Sequence, residues 1–180
     1  MAVRDIAGRR YALAAMAIAR SSGTFESWSE AIDGLGSLTQ SPEFVAALQA
    51  DGMTDERLTT IVRQVVPDIS DVQLNLFRLL RQKARLALGP SIASYFAELL
   101  DQERGIIRAR VRTAVALDDA QREAVRERLA TQTGRTVELE AEVDPSILGG
   151  AILQVGDQLI DGSTRRRLQR LRQELVTAGR

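Results

Sequence analysis

The chain of 180 residues contains no cysteine and no histidine, only one tryptophan and four prolines, and a single lysine, Lys83, among its 24 basic residues. These absences exclude a disulfide scaffold, a Cys/His zinc site, a thiolate nucleophile, a Ser-His-Asp triad and an imidazole proton shuttle. Any chemistry would have to run on carboxylates, Ser, Tyr or Lys83. Basic and acidic residues balance at 24 each, whereas a dedicated nucleic-acid binder shows a strong basic excess. With arginine supplying nearly all the positive charge, that charge is fixed at any accessible pH. Long apolar runs are missing as well. Arg9-Arg10 before the run Tyr11 to Ala19 superficially resembles a signal peptide, but nine mostly alanine residues are too few and too weakly apolar. A soluble protein without a membrane span is expected.

Hydrophobic period divides what is present into two parts, and the predicted fold class is α+β: a six-helix bundle over 1–105, then a small α+β domain over 106–180 with a short mixed sheet and a C-terminal helix. In the first helix, predicted from Val3 to Arg20, Ala7, Tyr11, Ala14 and Ile18 recur at helical spacing, and Ile6, Leu13 and Ala17 form a second stripe. Thr24 caps a helix with Phe25, Trp28, Ile32 and Leu35 inward. Ser41-Pro42 opens a short helix with Phe44, Val45 and Leu48. Thr54 caps a helix carrying Leu58, Ile61, Val62 and Val65, which stops before Pro67. Ser70 and Gln73 form a capping-box pattern opening the longest helix, through Leu74, Phe77, Leu80, Ala84 and Leu88. Gly89-Pro90 starts the sixth, with Ile92, Tyr95, Phe96 and Leu99 inward. No internal repeat of solenoid length is present.

After Gly105 the period becomes two. Ile107, Ala109, Val111, Thr113 and Val115 alternate with Arg108, Arg110 and Arg112, and Val137, Leu139, Ala141 and Val143 alternate with Glu138, Glu140 and Glu142. Three outward arginines and three outward glutamates at one period suit cross-strand ion pairing. Between these strands Asp118-Asp119 and Gly134 bound a helix through Ala124, Val125 and Leu129. Ala151 to Val155 and Gln158 to Asp161 read as a hairpin turned at Gly156-Asp157, and Ser163 caps the final helix, with Leu168, Leu171 and Leu175 inward.

Three features bear on function. The glycine-rich stretch from Gly149 to Asp157 lacks the Gly-Lys-Ser/Thr of a phosphate loop, and its glycines are read as turn formers. Asp144, Asp157 and Asp161 lie in turns, where a carboxylate pair would permit acid–base or metal chemistry but where aspartates commonly bond their own backbone. Arg165, Arg166, Arg167, Arg170 and Arg172 crowd the start of the last helix against its dipole, and an acidic partner surface would relieve them. The alanine-rich first helix has more apolar surface than one core contact uses, and suits an amphipathic partner helix docking on it. A carboxylate-based enzyme and a nucleic-acid binder using Arg165 to Arg172 are the alternative readings.

Together these residues carry a family resemblance. The stretch Val143-Asp-Pro-Ser-Ile-Leu-Gly-Gly-Ala-Ile-Leu-Gln-Val-Gly-Asp-Gln-Leu-Ile-Asp-Gly-Ser163, followed by Leu168-Gln-Arg-Leu171, resembles the C-terminal signature of the delta subunit of F-type ATP synthases, whose mitochondrial relative is the oligomycin-sensitivity-conferring protein. Arg10-Tyr11-Ala12, the length and the domain order fit as well, though the Arg165 to Arg167 triplet is more basic than the family pattern. The resemblance implies a non-catalytic stator subunit without cofactor or metal, present as one copy in a hetero-oligomer. It would lie peripherally at the cytoplasmic face of a bacterial cell membrane, and couple proton-driven rotation to ATP synthesis. The bundle would receive the N-terminal helix of an alpha subunit between its first and fifth helices, placing Tyr11, Ala14, Ile18, Leu76, Leu79 and Lys83 at the groove. The C-terminal domain would engage the stalk b subunits, with Arg165, Arg166, Arg167 and Arg170 as candidate contacts. Asp144, Pro145, Gly149, Gly150, Gly156, Asp161 and Gly162 would be structural.

Overall fold

The computed structural model describes residues 5–156 and 158–169. The fold is mixed helix and sheet, and the chain divides between Leu100 and Asp101 into two compact units.

The first unit is helical: α1 (Ile6–Ser22), α2 (Phe25–Leu38), α3 (Pro42–Gln49), α4 (Asp55–Val65), α5 (Asp71–Gln82), a 3-10 turn (Leu86–Leu88) and α6 (Gly89–Glu103), whose last turn crosses the division. Local chemistry sets most of these ends. Asp5 caps α1 by accepting from the Ala7 N–H at 2.8 Å, and Gly23 ends it in the left-handed conformation. Thr54 caps α4, and the Ser70/Gln73 capping box forms in full at the start of α5. Gln73 also donates to Ser27 Oγ at 2.8 Å, tying α5 to α2. Thr24 and Ser41 hold their cap positions without a side-chain cap bond; Thr24 bonds the Ser22 hydroxyl instead.

Trp28, Ile32, Leu35, Leu58, Val62, Leu74, Phe77, Leu80, Ile92 and Phe96 form the core, as their spacing predicts. Other expectations change: Phe44 and Val65, read into the apolar stripes of α3 and α4, are exposed. The core-facing stripe of α1 is Gly8, Ala12, Ala15, Met16 and Ala19, so both stripes read from its larger residues fall mainly outside the core. Small residues win the inner face because α1 lies tight against α6: a Cβ on Gly8 would come within 2.5 Å of Ser91 Oγ, the atom that accepts from the Asp5 N–H at 3.1 Å. The longest helix is also interrupted. Ala84 takes φ +52°, the Arg85 N–H reaches back to the Leu80 carbonyl and the Ala84 N–H to Arg81. This paired reverse bonding is a Schellman stop, formed without its usual glycine. Arg81 ties the same end to the α3–α4 connection, through the Leu48 and Met53 carbonyls and an ion pair with Asp55 at 3.0 Å.

In the second unit, β1 (Ile106–Thr113) runs parallel to β2 (Thr136–Val143) through the crossover helix α7 (Asp119–Thr133), and antiparallel to β3 (Ala151–Val155), which pairs with β4 (Gln158–Asp161). The order is β2-β1-β3-β4. Asp118 and Gln121 form a second capping box, and Gly134 closes α7 at φ +67°. Val125, Leu129 and Ala130 cover one sheet face at Ala109, Val137, Leu139, Leu153 and Val155; Ala124, expected among them, is exposed. β1 stays buried to its end at Thr113, whereas burial fades along β2, and Val115, beyond the end of β1, and Val143, both read as inward, are exposed. Residues 164–169 begin a helix. Leu171 and Leu175 of its predicted inner stripe lie outside the described residues, and Leu168 is exposed.

Candidate partner-binding surfaces

With a core stripe of small residues apart from Met16, α1 turns most of its larger apolar side chains outward. Ile18 is 41 % exposed, Leu13, Ala14 and Ala17 are exposed, and Tyr11 is half-buried at the edge of the core. On α5, Leu79 is 41 % exposed, Lys83 is exposed and Leu76 is half-buried. Val72, four residues before Leu76 and 54 % exposed, extends the same stripe. The Arg85 guanidinium donates to the Tyr11 hydroxyl at 3.2 Å, while Gln73 at the other end of α5 bonds Ser27 just beyond α1. The start of α5 is thus tied to α2, and the chain just beyond its end reaches the first half of α1. Sequence reasoning missed Val72, legible as the i−4 neighbour of Leu76. It also missed Arg85, whose direction an uninterrupted helix misplaces.

The signature stretch forms a clasp. Asp144 accepts from the Ser146 N–H at 3.0 Å and the Ser146 hydroxyl at 2.6 Å, with Arg112 at 3.5 Å on its other oxygen. These two Ser146 bonds, helped by the Arg112 charge, hold its carboxyl below the usual range. Asp161 repeats the device with Ser163, aided by Arg166 and Arg165, and is lowered likewise. Pro145 sits in the first turn, carrying the chain to buried Ile147. Gly150, at φ +83°, faces Gly162 so closely that a Cβ would stand 2.5 Å from the Gly162 carbonyl oxygen. The Gly162 N–H bonds Ala151 and the Thr164 N–H bonds Gly149, both at 2.9 Å, so the start of β3 is pinned to the opening of the last helix. Gly156 turns the hairpin at φ +56°, while Asp157 lies outside the described residues. The two described aspartates of the carboxylate reading are therefore engaged in their own turns.

The strand arginines are engaged too. Arg108 pairs with Glu138 at 3.2 Å and Arg110 with Glu140 at 3.0 Å, as the parallel register sets them, but Arg112 selects Asp144 over its register partner Glu142. Arg108 also grips Asp101 in the last turn of α6 with both ends of its fork, at 2.5 and 3.0 Å. That bond, more than the nearby charges, raises its pKa against the opposing effect of burial. Of the terminal cluster, Arg165, Arg166 and Arg167 are exposed; Arg165 donates to the Ser146 carbonyl at 3.5 Å, and Ser163 caps the helix through the Arg166 N–H. Asp161, preceding them, offsets part of the dipole penalty expected for these arginines. Arg170 and Arg172 lie outside the described residues.

The sequence matches the ATP synthase delta (OSCP) subunit family along nearly the whole chain, over residues 7–175. The chain belongs to that family. ATP synthase subunit delta of Thioalkalivibrio sulfidiphilus is 35% identical over 164 residues, covering 91% of this chain and 92% of that one. The Anaeromyxobacter dehalogenans protein of the same name is 36% identical over 170 residues, covering 93% and 95%. In fold, the chain resembles a chain of the Toxoplasma gondii mitochondrial ATP synthase hexamer at a TM-score of 0.68 and 19% identity, over 96% of this chain and 98% of that one. As a member of the delta/OSCP family, the chain is a non-catalytic stator subunit of an F-type ATP synthase. No helix among the described residues is long and apolar enough to cross a membrane.

Proposed function

We propose that helices α1 to α6 act as one six-helix bundle that binds the catalytic head, and that residues 106–180 bind the peripheral stalk, so that the head is held still while the rotor turns. The head contact is the open face of α1 and α5, with Tyr11, Ala14, Ile18, Leu76, Leu79 and Lys83 receiving the N-terminal helix of an alpha subunit. The stalk contact is the start of the last helix, where Arg165, Arg166, Arg167 and Arg170 meet acidic positions of the b subunits. One copy serves each complex, held peripherally at the cytoplasmic face of a bacterial cell membrane by the assembly.

The observation that carries this reading is the inverted burial of α1. A helix that spends alanines and a glycine on the core and leaves Leu13 and Ile18 in solvent keeps apolar area for a partner. Ala14 stands on that open face, so Ala14→Asp leaves the core untouched while placing a charge under any docked helix. It should weaken binding of an alpha N-terminal peptide by several kcal/mol, measured calorimetrically, while thermal stability falls only by the roughly 0.5–0.7 kcal/mol that Asp costs relative to Ala inside a helix. Unchanged affinity would remove α1 from the interface.

A further inference from the structure

The open α1–α5 surface differs in character along its length. Beyond Lys83, which follows Leu79 on the exposed stripe of α5, the left-handed turn at Ala84 directs Arg85 across to Tyr11. Lys83 and Arg85 form no ion pair among the described residues. No carboxylate lies within α1 itself, whose charged residues are Arg9, Arg10 and Arg20. The other end of the α5 stripe, at Val72, is apolar. An apolar helix face laid along this surface would thus meet two cations, Lys83 and Arg85, at the Tyr11 end, where neither α1 nor the last turn of α5 offers a carboxylate. We infer that the surface takes an amphipathic helix carrying a carboxylate that meets Arg85 and Lys83 beside Tyr11, and that this charge fixes the register of docking.

Charge complementarity is the ground for that occupant. Apolar contact is non-directional and tolerates sliding by a helical turn, whereas a carboxylate that reaches a guanidinium already oriented by Tyr11 is satisfied in one position only. The preorganisation comes from the backbone. In a continued helix residue 85 would point elsewhere, and the Schellman stop at Ala84 is what brings it to α1. The inference rests on the proposed head contact and names the chemistry of the segment that fits there.

The full chain is titrated with a labelled peptide of the first 25 or so residues of the alpha subunit encoded in the same genome, in native form and with its Asp and Glu replaced by Asn and Gln. At low salt the native peptide should bind about fivefold more tightly than the amide form. Arg85→Gln should weaken the native peptide by a similar factor and erase the difference between the two, and raising the salt should do the same. Native and amide peptides binding equally well would overturn the inference while leaving the head contact standing. Failure of both peptides to bind would overturn both. Self-association of the chain in sedimentation velocity, abolished by Arg85→Gln, would overturn the inference in favour of a second copy as the occupant.

Discussion

At the scale of single residues, two aspartates show how an apparently chemical group becomes a structural one. Asp144 and Asp161 each accept two bonds from a serine two residues on, or its turn, and each has an arginine nearby, so the folded chain favours their ionised forms. Because both pKa values are lower in the folded state, their stabilisation is complete above the ordinary carboxylate pKa of about 4 and disappears as pH falls from there through the lowered folded values. Replacing both with asparagine keeps the acceptor oxygen and removes the charge. The double variant should be less stable than the natural chain at pH 6 and should converge with it on acidification, measured by urea unfolding followed by circular dichroism; parallel curves would show that the charges contribute nothing. That these aspartates sit beside turns was legible from Asp144-Pro145 and Asp161-Gly162. The serine that engages each lies two residues on, but which arginine does so depends on packing at a distance in sequence, as with Arg112 and Asp144 across 32 positions.

At the scale of elements, caps and strand alternation carried the most information. The Ser70/Gln73 capping box formed as spelled and Asp118 capped α7 as read, and of the alternating Arg and Glu in β1 and β2 two pairs formed, Arg108–Glu138 and Arg110–Glu140, because the parallel register aligned them. Helix faces carried less. In α1, apolar residues surround most of the helix, so periodicity alone offers three stripes, and the inner one is chosen by the close approach to Ser91 at Gly8. The end of α5 was hidden for a different reason: an alanine holds the left-handed position where glycine is the usual signal. That conformation costs an L-residue about 1–2 kcal/mol, so Ala84→Gly should stabilise the chain by roughly 0.5–1 kcal/mol in thermal or urea unfolding, the gain reduced by the entropy that glycine adds to the unfolded chain. A destabilised variant would mean that the Ala84 methyl makes contacts that outweigh its strain.

At the scale of the whole molecule, missing chemistry and present surfaces describe one role. A chain without Cys or His, with its signature glycines and aspartates spent on a clasp, retains an outward apolar helix pair in one unit and an exposed arginine cluster in the other. A connector between head and stalk requires two binding surfaces, and the proposed function assigns one to each unit. The resemblance was legible in the contiguous signature, whereas the α1–α5 surface is built from residues more than 50 positions apart and needed the fold to assemble it. The most direct measurement is mass photometry of a delta-depleted catalytic head mixed with soluble b-subunit dimer, with and without this chain. A ternary complex should form only when the chain is present, and should be lost with Ala14→Asp on the head side or with Arg165, Arg166 and Arg167 changed to glutamate on the stalk side. Head and stalk joining equally well without the chain would contradict its role as the bridge, and undiminished joining by both variants would contradict the two contact surfaces assigned to it.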